Sequence, residues 1–108
     1  MTLTLPTSIK SYFKADASNS EVFAYCFTED ASVKDEGRTY NGREAIRRWK
    51  EEASAKYTYT CEPLEYDQQA GKEIVTCQLT GNFPGSPVAL RYIFEQEGNQ
   101  ITSLEIVP

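Results

Sequence analysis

The sequence predicts an α+β fold in which three N-terminal helices pack on one face of a curved, mostly antiparallel sheet. Three observations carry that expectation. Up to Lys56 the apolar residues recur mainly at helical spacing, interrupted by one short alternating stretch. From Lys56 onward the period changes to two and holds to the end of the chain. Within that second half, Ala70-Gly71, Pro84-Gly85 and Gly98-Asn99 are hairpin-length connections, so the strands form an antiparallel meander.

Taken in order, Thr7 or Ser8 can cap a first helix whose Ile9, Tyr12 and Phe13 fall at i, i+3 and i+4. Ser18-Asn19-Ser20-Glu21 has the form of a capping box and opens a short second helix with Val22, Phe23, Cys26 and Phe27 on one side. Ser32-Val33-Lys34-Asp35-Glu36 reads as a short strand, with Gly37 and Asn41-Gly42 punctuating a loop after it. Asn41 with Glu44 makes another capping-type start. The helix that follows turns Ala45, Ile46, Trp49 and Ala53 inward and carries the i,i+4 pairs Glu44-Arg48, Arg47-Glu51 and Arg48-Glu52 outside.

Four strands follow. The first, within residues 57–67, holds Tyr57, Tyr59, Cys61 and, after Pro63, Leu64 and Tyr66, and in the second Val75, Cys77 and Leu79 alternate with Thr76, Gln78 and Thr80. Val88, Leu90, Tyr92 and Phe94 define the third, while the fourth sets Leu104 and Ile106 against Ile101, Ser103, Glu105 and Val107. Arg91 and Glu105 stand on adjacent strands and can pair across the sheet, and residues 84–87 read as a turn alone.

Composition narrows the function classes. A chain of 108 residues suits one domain, here residues 1–108. A net charge of -5 and a pI near 4.7 argue against a nucleic-acid or anionic-membrane surface. There is no apolar run near the roughly 18 residues of a membrane span, and MTLTLPTSIK lacks a signal-peptide pattern. Cys26, Cys61 and Cys77 are odd in number and show no CxxC spacing, which predicts buried reduced thiols and a cytoplasmic protein. The chain contains no histidine. That excludes Ser-His-Asp and Cys-His nucleophile systems and removes a common metal ligand, so no metal or cofactor is expected. Acid-base chemistry must then fall to a carboxylate, Tyr, Lys or Cys, and a carboxylate serves near neutral pH only when its surroundings tune it.

Helix, helix, short strand, helix and four long strands is the order of the nuclear transport factor 2-like fold, also called the cone or cystatin-like fold. Phe27-Thr28-Glu29-Asp30-Ala31-Ser32-Val33-Lys34-Asp35 resembles that superfamily's "F-x-x-D-A-x-V-x-D" segment. Gly42-Arg43-Glu44-Ala45-Ile46 resembles its "G-R-E-A-I" helix start, and Phe94 to Ile101 its last hairpin. The likeness is strongest to the SnoaL-like and steroid delta-isomerase-like branches. It implies a conical cavity between the helices and the concave sheet, with Asp35 at the position of the isomerases' general base. The same likeness places Ser11 where those isomerases carry a tyrosine, with Tyr12 one place along, and Leu90 where they carry an acid, so their two oxyanion donors are missing or displaced. SnoaL-type cyclases use an assisting histidine or asparagine, and this chain has no histidine.

The residues agree on Asp35. Period two puts it on the face of Val33, and a carboxylate at an apolar mouth is driven toward its neutral form. The expected site has Asp35 as base and Tyr12 or Tyr57 as helper, with Phe23, Phe27, Val33, Trp49, Tyr57 and Tyr92 around a small, mainly apolar ligand. Arg43, Arg47, Arg48 and Lys50 could grip an anionic ligand, but the glutamates interleaved with them favour a solvated helix face. The superfamily resemblance implies a homodimer, for which Thr76, Gln78, Thr80 and Arg91 are candidates on the outer sheet face. The activity expected is carboxylate-based proton transfer of the isomerase, cyclase or dehydratase type; the alternative is a non-catalytic ligand-binding or dimerisation module. A roomy cavity with Asp35 on its wall favours the enzyme, and one filled by Trp49 and the tyrosines favours the module.

Overall fold

The computed structural model describes residues 4–16 and 20–108. Its elements are α1 (Thr7–Asp16), α2 (Ser20–Ala24), β1 (Phe27–Asp35), β2 (Arg38–Asn41), α3 (Arg43–Lys56), β3 (Tyr59–Gln69), β4 (Lys72–Gly81), β5 (Val88–Glu97) and β6 (Gln100–Val107). The strands form one sheet in the order β2-β1-β6-β5-β4-β3. All neighbours are antiparallel except β1 and β6, whose parallel pairing joins the two halves of the chain. The fold is α+β, as the change of period predicts.

The register lays the inner sheet face out in rows. One row runs Val33, Leu104, Phe94, Glu73, and the next runs Asp35, Ile106, Tyr92, Val75, Tyr66. The first row is sealed beneath Ile9 and Tyr12 of α1, Phe23 of α2 and Ile46 of α3, all buried. The second begins the open part of the cone. Val33 and Asp35 therefore share a face and differ in depth.

Several expectations change in detail. α2 ends at Ala24, and Phe27 opens β1, because the Ile101 amide donates to the Cys26 carbonyl and Phe27 pairs with Ile101. Long-range pairing here overrides the local helical spacing, leaving Val22 exposed. The stretch after Asp35 is a hairpin. Glu36 and Gly37 both have positive φ, 51° and 76°, the signature of a two-residue type I′ turn, and β2 returns along β1. Pro6 supplies the carbonyl that starts α1 by accepting from the Lys10 amide, whereas Ser8 is buried and donates to Gln96 Oε1. Gly42, with φ 87°, replaces Asn41 as the N-cap of α3 and makes no side-chain cap bond. The capping box at Ser18 to Glu21 lies outside the described residues and side chains.

Two bulges reset the strand parity. One at Leu64, between Pro63 and Glu65, turns Leu64 outward and 43% exposed. The other, at Thr102, brings Ile101 into the core instead of onto the outer face. Arg91 stands opposite Val107 and Glu105 opposite Ile93, so the two are offset and form no ion pair. On α3, Arg47 bridges Glu44 and Glu51 at 2.5 Å each and Arg48 reaches Glu44 at 3.4 Å. The expected Arg48-Glu52 bridge does not form. No helix among the described residues is long and apolar enough to cross a membrane.

Candidate functional site

A cavity of about 550 Å³ opens between α3 and the end of the sheet that carries Asp35. Its floor is Ile106, Tyr92, Leu90, Val88 and Leu79, its roof Trp49, Lys50 and Ala53, and Tyr12 closes it from α1. Tyr40, Tyr57, Tyr59 and Phe83 complete an aromatic wall, and Arg38, Glu52 and Lys56 bring charge to it.

Asp35 reaches this cavity because it is the last residue of β1, where alternation has set it inward and the Glu36-Gly37 turn ends the strand. Its Oδ2 accepts a hydrogen bond from Trp49 Nε1 at 3.2 Å. Burial pushes the Asp35 carboxyl above its ordinary range, and the nearby Glu36 charge adds to the rise. The bonds from Trp49 and from the Glu36 backbone oppose it without reversing it. Among the described residues no cation bridges it. Arg43 is engaged elsewhere, with Nε donating to the Phe27 carbonyl at 3.0 Å and the guanidinium over Tyr25.

The rim is fixed by backbone. Thr58 and Asn82 form a reciprocal pair: the Thr58 amide donates to Asn82 Oδ1 at 2.9 Å, and the Asn82 amide to the Thr58 carbonyl at 3.1 Å. Gly81 pairs with Tyr59 so closely that a Cβ on it would lie 2.4 Å from the Thr58 carbonyl oxygen. These contacts hold the 82–87 loop, and Phe83, Pro84 and Gly85 line the cavity. That loop is thus part of the site rather than only a turn.

Of the expected site residues, the structure brings Asp35, Tyr12, Trp49, Tyr57 and Tyr92 to the cavity. Phe23, Phe27 and Val33 do not line it; they are completely buried and pack behind its inner end. Ser11 faces solvent, Tyr12 is 2% exposed, and Leu90 is an apolar part of the floor. The missing group is Lys50, expected on the solvated face of α3. It is 6% exposed and lines the cavity, with Nζ 3.5 Å from the Tyr59 hydroxyl and 5.5 Å from the centroids of the Phe23 and Tyr59 rings. Lys50 stands one helical turn after buried Ile46, an i,i+4 signal that its charge obscured.

A second depression, of about 620 Å³, lies beyond the Glu36-Gly37 turn toward Val107 and Pro108. It shares Asp35, Glu36, Leu90 and Ile106 with the cavity, but Lys34 and Glu105 on its wall belong to the outer sheet face. It lacks the helix roof, so the aromatic cavity is the candidate site. No group of three or more His, Cys, Asp or Glu among the described residues could hold a metal ion. Burial raises the Cys26 thiol, which makes it a poor nucleophile.

This architecture, helices closing a curved sheet over a cavity with one carboxylate on its wall, defines a cone-fold protein. The chain is similar to a candidate polyketide cyclase from Sinorhizobium meliloti, with 39% identity over 94% of each chain and a TM-score of 0.90. It also resembles a ketosteroid isomerase-like protein from Catenulispora acidiphila, in complex with trimethylamine, at 21% identity, TM-score 0.84, covering 97% of this chain and 87% of that one. A third likeness is to a protein of unknown function from Cytophaga hutchinsonii with the nuclear transport factor 2-like fold, at 16% identity, TM-score 0.74 and coverage of 98% and 92%. No family model matches the sequence, and no curated protein is a significant match. The chain has the nuclear transport factor 2-like, ketosteroid isomerase-like fold and belongs to one family with the Sinorhizobium meliloti protein.

Proposed function

We propose that this protein binds a small, mainly apolar molecule in the aromatic cavity and transfers a proton from carbon, with Asp35 as general base, in a cyclase-, isomerase- or dehydratase-type reaction. The observation that carries this reading is Asp35 itself. Its carboxylate stands on the wall of a roomy cavity, is raised in pKa by burial and has no bridging cation among the described residues. A base of this kind is weakly solvated, and its affinity for a proton is higher than that of a surface aspartate. The likeness to a candidate cyclase at 39% identity supports the reaction class. Tyr12 and Tyr57 are the hydroxyls assigned to assist. Trp49 orients the carboxylate through Nε1.

The test is enolisation of an apolar β-diketone such as benzoylacetone in deuterated water, followed by NMR. Carbon-bound deuterium should appear faster with protein than with buffer alone. Asp35→Asn should lower the protein-dependent rate by about 10²–10⁴-fold, the usual contribution of a positioned base. Undiminished exchange in that variant would remove Asp35 from the role.

The protein acts, on this reading, as a homodimer. Ile74, Ile93 and Val107 are half-buried on the outer sheet face between Thr76, Arg91 and Glu105. A second copy seated there would bury on the order of 1,200–2,000 Å² in total. Light scattering should give twice the chain mass of 12.2 kDa at high micromolar concentration, and a monomer would exclude it.

A further inference from the structure

We infer that Lys50 and Tyr59 form an anion-receiving end of the cavity, and that the ligand is therefore an apolar molecule bearing an anionic oxygen, either a carboxylate or an enolate. The inference deepens the proton-transfer reading by naming the ligand's chemistry. A lysine head enclosed among aromatic rings has lost most of its water, and a charge so placed is stabilised by bonded oxygens. The Tyr59 hydroxyl, 3.5 Å from Nζ, is one. Both groups stand on the cavity wall, so a ligand oxygen inside the cavity can meet an ammonium and a phenol together. Charge-assisted bonds in such surroundings are the strong ones.

The site also compensates for a known gap in the chemistry. When Asp35 takes a proton from a carbon beside a carbonyl, the C–H pair becomes a C=C bond and the carbonyl π pair moves to oxygen. That oxygen needs positive charge or donors. Leu90 supplies neither, whereas Lys50 and Tyr59 supply both. The proton on Asp35 then returns to a different carbon, or to the new alkoxide if the enolate carbon has attacked a second carbonyl. No oxidant or further reactant is required.

The experiment compares three naphthalene probes by calorimetry and by quenching of Trp49, the chain's one tryptophan. These are 2-naphthoate for a carboxylate, 2-naphthol for an enol, and 2-methoxynaphthalene as the neutral control. Wild-type protein should bind naphthoate at least about tenfold more tightly than the ether, or bind naphthol with the absorption of its anion. The first result identifies a carboxylate ligand and the second an enolate. Lys50→Met should abolish the preference by weakening naphthoate and naphtholate binding far more than ether binding, and Tyr59→Phe should reduce it. Equal wild-type affinities without naphtholate, absence of naphthoate and naphthol binding up to millimolar concentration, or a preference that survives Lys50→Met would overturn the inference. The wild-type comparison decides even if Lys50→Met does not fold. Asp35→Asn should keep the anion preference while losing exchange, so failure of the base assignment and failure of the anion site give different results.

Discussion

Glu73 and Asp35 lie on the same face of the sheet, in neighbouring rows, and their surroundings are opposite. Glu73 is buried and takes three side-chain donors: the Tyr66 hydroxyl at 2.5 Å, Gln68 Nε2 at 2.9 Å and Gln96 Nε2 at 3.5 Å. Ser8 of α1 joins the same network through Gln96. Asp35 has one side-chain donor, Trp49, and opens on a cavity. A carboxylate fully engaged by neutral donors ties elements together, since each donor would be left unpaired without it. A carboxylate that is half-buried, with one side-chain donor and one from the adjacent backbone, stabilises little and keeps capacity for a proton. One is an anchor and the other a working group.

The largest expected effect lies at the anchor. Glu73→Ala leaves the half-buried Tyr66 and Gln96 donors without their acceptor, while the exposed Gln68 turns to water. Urea unfolding should show a loss of about 3 kcal/mol. A cost under about 1 kcal/mol would erase the distinction between the two acids, because Glu73 would then be as dispensable for stability as Asp35 is expected to be.

Next is Gly81, which tests whether the cavity end is held by backbone instead of by its carboxylate. A Cβ there would meet the Thr58 carbonyl and the Tyr59 Cβ at 2.4 Å and 2.6 Å. Gly81→Ala should force β3 and β4 apart and destabilise by about 1–3 kcal/mol. Thermal unfolding would register it, and weaker probe quenching of Trp49 would register the shifted rim. Unchanged melting would mean that the close approach is not a constraint.

Tyr66 sharpens the comparison by pH. Burial, and then its bond and charge interaction with Glu73, push the phenol up to about 12 from its ordinary 10.0. A raised folded value means the contribution is whole below pH 10 and is lost as pH rises from there through about 12. Tyr66→Phe should therefore be less stable by about 1 kcal/mol at neutral pH and converge on the wild type in alkali. Ultraviolet titration of the folded protein should show a late-titrating phenol that the variant lacks. Its persistence in Tyr66→Phe would assign the shift to another residue.

The fold was legible because period and turn chemistry agree along most of the chain: Val75, Cys77 and Leu79 and then Val88 to Phe94 mark one face without exception. What escaped was set by non-local geometry. Glu36-Gly37 makes a type I′ turn without the usual Asn or Asp, so β2 was hidden. The bulges at Leu64 and Thr102 invert alternation where the partner strand, not the sequence, dictates it. At the site, alternation gave the face of Asp35 correctly but not the depth of Val33, Phe23 and Phe27, because period two says nothing about where a cone closes. Lys50 departs from the expected helix face for a different reason. Its charge suggested solvent, while its spacing from Ile46 put it inside.

The smallest stability effect belongs to Asp35, and its sign is the informative part. Burial disfavours the ionised carboxyl, so the folded value lies above the ordinary 3.8. Between those two values the folded state binds more proton than the unfolded one, and stability falls as pH rises through the window. Above it, the full penalty is present. Asp35→Asn keeps the shape and removes the charge. It should raise stability at pH 7 slightly, by roughly 0.5 kcal/mol because the side chain is partly solvated and still accepts from Trp49. The gain should disappear on acidification below the ordinary carboxylate value, where wild-type Asp35 is neutral in both states. Melting curves of the two proteins across that range would measure it. A variant less stable at neutral pH, with the deficit vanishing in acid, would mean that Asp35 is held as an anion by a partner. It would then be an anchor like Glu73, and the contrast between the two rows would fail at its functional end.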